Sequence, residues 1–290
     1  MKDGKLRVSL FLSLLFLLSG CGLTGTQQQA AARFARASAG LGEFTAKEFS
    51  GLRELTIEMN TRDVVIDGEA KLTNLDESLS PDAVSARISA ATALSSYGQL
   101  LLSLVEETQG AELKAASDDF VGSFKRVSGK TLSDDQLEAL GTLVQGIGGL
   151  LVEYKKAKAV KRIVKEAKPD VDKICDLLIA DFNRTGLGVG QGVDVTITRL
   201  KADVDYALAT PGVDHQRRLV AVEAFKLADD AKNRLNVLGS QAVKTLTTLK
   251  SANQQLASAM ENDESSIADI QALGKQIKEL ADAARALSGK

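Results

Sequence analysis

The chain has a single histidine, His215, and no tryptophan, and aromatic residues make up only 4% of it. One imidazole excludes every metal site built from several histidines. A catalytic nucleophile activated by histidine would have to pair with His215. His215 stands at a predicted helix start, where we expect it to be exposed. A core poor in rings must consist mainly of Ala, Leu and Val, a composition that suits close packing of helices.

The sequence has only two cysteines, Cys21 and Cys175. Cys175 is the only cysteine after Cys21, so it has no partner for a disulfide within the body of the chain. We expect the Cys175 thiol to be buried. Pairing with a cysteine of another molecule is the alternative.

The chain also lacks an excess of positive charge, since its net charge is −2 at pH 7. Binding to nucleic acid is therefore not expected. The acidic pairs Asp118-Asp119, Asp134-Asp135 and Asp229-Asp230 form no calcium-loop pattern. The pair at 134–135 lies in the first turn of a predicted helix, where it complements the helix dipole, and the other two are interpreted as solvated helix faces. The sequence predicts no catalytic, cofactor-binding or metal-binding residue, and hence a protein that is not an enzyme.

The clearest motif lies at the amino end. Lys2, Lys5 and Arg7 precede an apolar run from Val8 to Leu18, and the run ends in Leu18-Ser19-Gly20-Cys21. A charged start, a short apolar run and small residues at the end are typical of a secretory signal peptide. The run has about a dozen residues, fewer than the roughly 20 that a spanning helix needs. An ordinary secretory signal and an uncleaved anchor are the alternatives.

The four residues ending at Cys21 resemble the lipobox of bacterial lipoproteins, and the resemblance is confined to this signal segment. It implies that residues 1–20 are removed and that Cys21 becomes an amino terminus carrying a diacylglyceryl group and a further acyl chain such as palmitate. Gly22 follows, where an Asp would favour retention at an inner membrane, so the resemblance implies an outer-membrane anchor facing the periplasm. Residues 21–29 are predicted as the lipidated Cys and a short tether, and residues 30–290 as the body.

The body shows helical periodicity almost throughout. The longest regular stretch, from Val213 to Met260, predicts one straight helix of about 70 Å. Apolar residues recur along one helix face at intervals of three or four positions without interruption, and we call this face the apolar seam. The seam consists of Ala221, Ala224, Ala228, Ala231, Leu235, Leu238, Ala242, Thr245, Leu249, Ala252, Leu256 and Ala259. We therefore predict an all-α fold, an elongated antiparallel bundle of long helices with coiled-coil-like packing.

Other helix boundaries follow from local signals. Ser80-Pro81 starts a helix that should run to about Val127. A capping-box pattern at Ser133 opens another, which should stop near Lys168 because Pro169 disfavours helical geometry in the preceding residue. Gly40 and Gly42 could interrupt the first helix, and a hairpin before Gly68 competes with irregular chain or more helix.

Two further breaks leave alternatives open. Residues 186–192 are glycine-rich and precede alternating apolar residues at 193–197, so a strand competes with a helix there. A hinge or a tight helix crossing is the favoured interpretation, and a membrane-inserting tip is the alternative. A turn at 262–265 should fold the last helix back, against the alternative of one continuous helix.

Residues 155–168 hold seven cations against one acid, Glu166. This run follows an apolar, glycine-bearing stretch at 143–152. A basic run beside an apolar stretch favours contact with an anionic partner, either lipid headgroups or an acidic protein. Each basic residue near anionic lipid contributes about 1 kcal/mol to membrane binding. A solvated basic face is the alternative. The candidate contact residues are Lys155, Lys156, Lys158, Lys161, Arg162, Lys165 and Lys168.

These patterns together predict a lipid-anchored lipoprotein of the cell envelope with a non-enzymatic structural or interaction role. Its expected partners are the membrane, through Cys21, and an envelope protein or anionic lipid, with self-association left open. The alternative is a membrane-active helical protein that resembles α-helical pore-forming proteins in outline. An exposed apolar tip at 139–152 or 186–197 would favour that alternative, and burial of both would remove its motivation.

Overall fold

The computed structural model describes residues 22–68, 72–106, 111–126, 153–183, 188–262 and 267–288. All regular elements in these ranges are helical, which confirms the predicted all-α bundle. The helices are α1 (Gly25–Asp67), α2 (Pro81–Val105), α3 (Ala111–Arg126), α4 (Glu153–Phe182), α5 (Val189–Ala209), α6 (His215–Val237), α7 (Val243–Glu261) and α8 (Ala268–Ser288). A 3-10 turn at Glu77–Leu79 precedes α2, and a π-helical segment, Leu238–Ala242, joins α6 to α7.

Helix α1 packs antiparallel against α6 and α7 along its whole length. Gln27, near the start of α1, contacts Ala259 near the end of α7, and Arg217, near the start of α6, donates to the carbonyl of Asp67 at the end of α1. All residues of the predicted seam from Ala221 to Ala259 are buried. The long amphipathic helix is therefore confirmed, with one wider π turn inside it.

Helices α1 and α2 approach each other closely because each helix places a glycine against the backbone of the other. A Cβ at Gly42 would lie 2.6 Å from the backbone nitrogen of Ser95, and one at Gly98 would lie 2.6 Å from that of Ala39. Neither Gly40 nor Gly42 interrupts α1. The helix continues to Asp67, which removes the hairpin alternative, and Gly68 ends it with a left-handed φ of 76°.

The helix predicted from Ser80 to about Val127 is correct at its start and wrong at its end. The Ser80 hydroxyl accepts a hydrogen bond from the Ala83 amide, 3.3 Å away, as an N-cap. Helix α2 then ends at Val105, and α3 packs back against it.

Aromatic packing explains this return. The Tyr97 ring of α2 lies 6.3 Å from Phe120 and 6.4 Å from Phe124 of α3. All three rings are buried, whereas Ala111 and Ala115 are exposed. A continuous helix would have placed these two alanines on the buried face of α2, because each lies two heptads after a buried residue of that helix. Burial of two phenylalanines outweighs continuation of an alanine seam.

The predicted stop at Lys168 is wrong, since α4 runs through Pro169 to Phe182. Buried apolar residues, Val164 and Val171 among them, lie on both sides of the proline. The buried Asn253 of α7 also donates to the Lys168 carbonyl at 3.3 Å. Packing against α7 therefore outweighs the local cost of a proline in a helix, about 3 kcal/mol. The helix predicted from Ser133 lies, up to residue 152, outside the described residues.

The described part of the glycine-rich region forms the start of α5 and not a strand. Gly188 precedes it with extended backbone, and a Cβ there would lie 2.7 Å from the Cα of Asp181, so the tight approach is observed. Val189, Val193 and Ile197 are buried. Val195 is exposed, but residues 188–197 form no continuous exposed apolar tip, so this described part of the segment does not favour the membrane-active alternative. The other segment that motivated this alternative, 139–152, lies outside the described residues.

The last helix folds back onto its neighbour, as predicted. Asn262 has extended backbone, and the amide nitrogen of Asp269 in α8 donates to the Gln255 side chain of α7 at 3.0 Å. Among the described helices, α2 is long and apolar enough to cross a membrane by length and composition. Its most apolar window is 67% buried inside the bundle.

Candidate functional site

The amino end of the bundle is fixed by a capping box. The Thr24 hydroxyl accepts from the Gln27 amide, and the Thr24 amide donates to the Gln27 side chain, both at 3.2 Å. Helix α1 begins at Gly25, so residues 25–29, predicted as part of a tether, are its first turn instead. The capping box and three helix-compatible glutamines explain this correction. Only Gly22, Leu23 and Thr24 separate α1 from Cys21.

The side chains of two of these glutamines also cap the carboxyl ends of other helices. The buried Gln27 side chain donates to the Ala259 carbonyl of α7 at 2.9 Å, and Gln28 donates to the Val105 carbonyl of α2 at 3.1 Å. The last carbonyls of a helix have no partner within it, so these side chains satisfy them. The start of α1 is thereby joined to the ends of α2 and α7.

A groove of about 720 Å³ lies between α4 and the end of α7, next to this junction. Gly22 lines it on one side, and Ala257, Met260 and Glu261 of α7 contribute to its wall. We call it the basic groove because α4 contributes five cations that share one helix face. They are Lys158, Lys161, Arg162, Lys165 and Lys168.

Two of the five cations have acidic partners. Arg162 Nε lies 2.7 Å from a Glu166 oxygen, and Lys168 Nζ lies 2.7 Å from an Asp172 oxygen. Both pairs are four residues apart on α4 and are partly exposed. Three ammonium groups are left without a hydrogen bond or ion pair to any described residue, those of Lys158, Lys161 and Lys165.

Five of the seven predicted contact residues thus line one groove, and two do not. Lys155 is exposed but is not part of the lining. Lys156 points elsewhere, since it is only 4% exposed and its ammonium nitrogen has no hydrogen-bond partner among the described residues. The available positive face is therefore formed by residues 158–168.

Other residues singled out from the sequence have structural positions. His215 is exposed at the first position of α6, and its neighbour Asp214 caps the helix by accepting from the Arg217 amide at 2.9 Å. The pairs at 118–119 and 229–230 are exposed, and the pair at 134–135 lies outside the described residues. In the described ranges no three potential ligand side chains are grouped to hold a metal ion.

The Cys175 thiol is buried, as predicted. Burial, and to a lesser extent the charge of Asp172, raises the pKa of this thiol well above its usual range. The thiol therefore stays protonated and unreactive.

A polar cluster at the opposite end of the bundle was not predicted. Arg199 of α5 donates to Asn60 and Glu77, each at 2.6 Å, and to Asp63 at 3.2 Å. Burial, followed by the neighbouring Asp203 carboxyl, raises the pKa of Asp63 to about 6. The cluster joins α1, the 3-10 turn and α5. Its members are up to 143 positions apart and show no shared local signal.

Comparison of the chain with protein-family models, curated proteins and solved structures finds no match in any of the three. Its function must therefore be inferred from the amino-terminal motif and the basic groove.

Proposed function

We propose that the protein is a lipid-anchored helical lipoprotein of the bacterial cell envelope, with a structural or interaction role and no catalytic one. The observation that carries this proposal is the Leu18-Ser19-Gly20-Cys21 segment, which stands directly before a folded bundle. Two or three acyl chains on Cys21 would exceed the marginal binding that one chain gives, so the anchor would be stable.

The short connection supports a role close to the membrane. Three residues, Gly22, Leu23 and Thr24, lie between Cys21 and the first turn of α1. Such a segment spans at most roughly 10 Å. A lipidated Cys21 would therefore hold the bundle, and the basic groove beside Gly22, near the headgroup layer of the leaflet that carries the anchor. Gly22 after the cysteine favours an outer membrane, with the bundle in the periplasm.

The test is the Cys21→Ser variant, expressed from the full chain in a bacterial host with lipoprotein processing. We expect the wild-type protein to incorporate labelled palmitate and to sediment with membranes, and the variant to lose the label and leave the membrane fraction. Cys175→Ala is the matched control, because it removes the other cysteine and should keep both properties. Unchanged membrane retention of Cys21→Ser after a high-salt wash would contradict the anchor.

A further inference from the structure

The basic groove concentrates positive charge on a protein whose net charge is −2. Its five cations fall within three turns of α4, and the partners of two of them are on α4 itself. The lysines at 158, 161 and 165 have no ion pair among the described residues. Because positive charges so close together repel one another, the groove favours an anion that neutralises them.

The size and lining of the groove fit a small amphipathic anion. About 720 Å³ lies within the range of roughly 300–1,000 Å³ that is typical of ligand sites. The α7 wall offers apolar surface at Ala257 and Met260, polar groups at Gln254 and Ser258, and one carboxylate, Glu261, against the five cations of α4. Lysine ammonium groups and the Arg162 guanidinium are the usual donors to phosphate oxygens. A glycerol backbone next to a phosphate would contact both kinds of surface.

The position of the groove identifies the source of that phosphate. Gly22 belongs to the lining and is adjacent to Cys21, and the Gln27 bond to Ala259 holds the start of α1 at the end of the groove wall. A lipid attached at Cys21 therefore keeps the groove within reach of neighbouring headgroups, at a high effective concentration. A soluble anion gains no such advantage.

We propose that the basic groove binds the phosphate of an anionic glycerophospholipid in the leaflet that holds the anchor. The choice of a membrane phosphate over a free one, and of the leaflet, rests on the proposed function, whereas phosphate binding by the groove does not. Lys158, Lys161 and Lys165 bind the phosphate, and Arg162 exchanges part of its pairing with Glu166 for it.

The test uses the mature chain, residues 21–290, with Cys21→Ser and expressed without residues 1–20, so that neither an acyl chain nor the apolar run at 8–18 contributes to binding. Flotation with vesicles of phosphatidylcholine alone should leave the protein unbound, and vesicles that also contain phosphatidylglycerol should bind it. Adding Lys158→Glu, Lys161→Glu and Lys165→Glu should weaken this binding by roughly tenfold or more. These side chains are exposed or half-exposed, so the melting temperature should stay unchanged.

The matched control changes the same net charge elsewhere. Lys226, Lys232 and Lys244 are exposed lysines of α6 and α7 outside the groove. Their replacement by Glu should leave vesicle binding within about twofold of the Cys21→Ser chain, apart from a general salt-sensitive loss. An equal loss in both triple variants would overturn the groove as the site.

Three further outcomes would overturn the proposal. One is no binding of Cys21→Ser to phosphatidylglycerol vesicles. Another is equal binding to vesicles whose surface charge comes from a fatty-acid carboxylate, which would exclude phosphate recognition. The third is calorimetric binding of inorganic phosphate without binding to vesicles, which would assign the groove to a free anion. Failure of the anchor itself would instead appear as missing palmitate on the wild-type protein.

Discussion

At the scale of single residues, the contact between α1 and α2 depends on the absence of side chains. Gly98 faces the α1 backbone so closely that a Cβ would lie 2.6 Å from the nitrogen of Ala39. Backbone atoms on both sides have little freedom to move apart, since the surrounding residues are buried. Glycine is retained there for space, although it lowers helix propensity.

We predict that Gly98→Ala destabilises the bundle by about 1–3 kcal/mol, because the added methyl group forces two helices apart. Chemical unfolding followed by circular dichroism measures this change. Gly274→Ala in α8 is the control. A Cβ at that exposed position meets nothing within 4 Å. The control should therefore gain up to about 1 kcal/mol from helix propensity. Effects of the same sign at both positions would contradict the close contact.

Asp63 gives the bundle a pH dependence of a particular sign. Its pKa rises from 3.8 to about 6 in the folded protein, so between these values the folded state binds more protons than the unfolded state. Stability from this group is therefore highest at acidic pH and falls as the pH rises through about 6.

Asp63→Asn removes the titrating group while keeping an oxygen that can accept from Arg199. Wild type loses stability as the pH rises, and the variant does not. We therefore expect the difference in unfolding free energy, variant minus wild type, to increase by on the order of 1 kcal/mol from acidic to neutral pH. This is less than the full pKa shift would give, because the site is partly solvated. Urea unfolding across this pH range measures the difference. A difference that does not change with pH would contradict the raised pKa.

At the scale of helices, the first turn of α1 has a connecting role that its composition does not suggest. Gln27 and Gln28 satisfy carbonyls at the ends of α7 and α2. Replacing Gln27 by Ala should cost about 1–3 kcal/mol, since it leaves a buried carbonyl without a partner. Hydrogen exchange should then increase at the last turn of α7.

The exposed Gln29 provides the control, because it makes no hydrogen bond to a described residue. Gln29→Ala should change stability by no more than about 0.5 kcal/mol. If Gln27→Ala and Gln29→Ala behaved alike, the connection between the amino end and α7 would not contribute to stability.

Local patterns predicted some helices well and others poorly, for physical reasons. The seam of α6 and α7 repeats over many turns, so its burial could be predicted from spacing alone. The carboxyl end of α2 and the passage of α4 through Pro169 could not be predicted in this way. Tyr97 against Phe124, and Asn253 against Lys168, are contacts between residues far apart in the chain, and these contacts outweigh local propensity.

One part of the basic groove could be predicted from local spacing, and the other parts could not. The cations at 158–168 share a helix face, so their spacing predicted one basic surface. The opposite wall of the groove comes from α7, almost a hundred positions later, and Gly22 comes from the other end of the chain. Only the fold brings these three parts together.

At the scale of the whole molecule, the antiparallel pairing of α1 with α6 and α7 gives the bundle two different ends. One end holds Gly22, the capping glutamines and the basic groove. The other holds the Arg199 cluster and the exposed start of α6. An anchor at Cys21 would bring the positively charged end to the membrane surface and leave the other end available to further envelope components.

The central claim is that Cys21 carries lipid at the start of this bundle. Intact-mass analysis of the protein isolated from its native envelope tests it most directly. We predict the mass of residues 21–290 increased by a diacylglyceryl group and an amide-linked acyl chain. A mass corresponding to an unmodified Cys21, or to a chain that retains residues 1–20, would contradict the account.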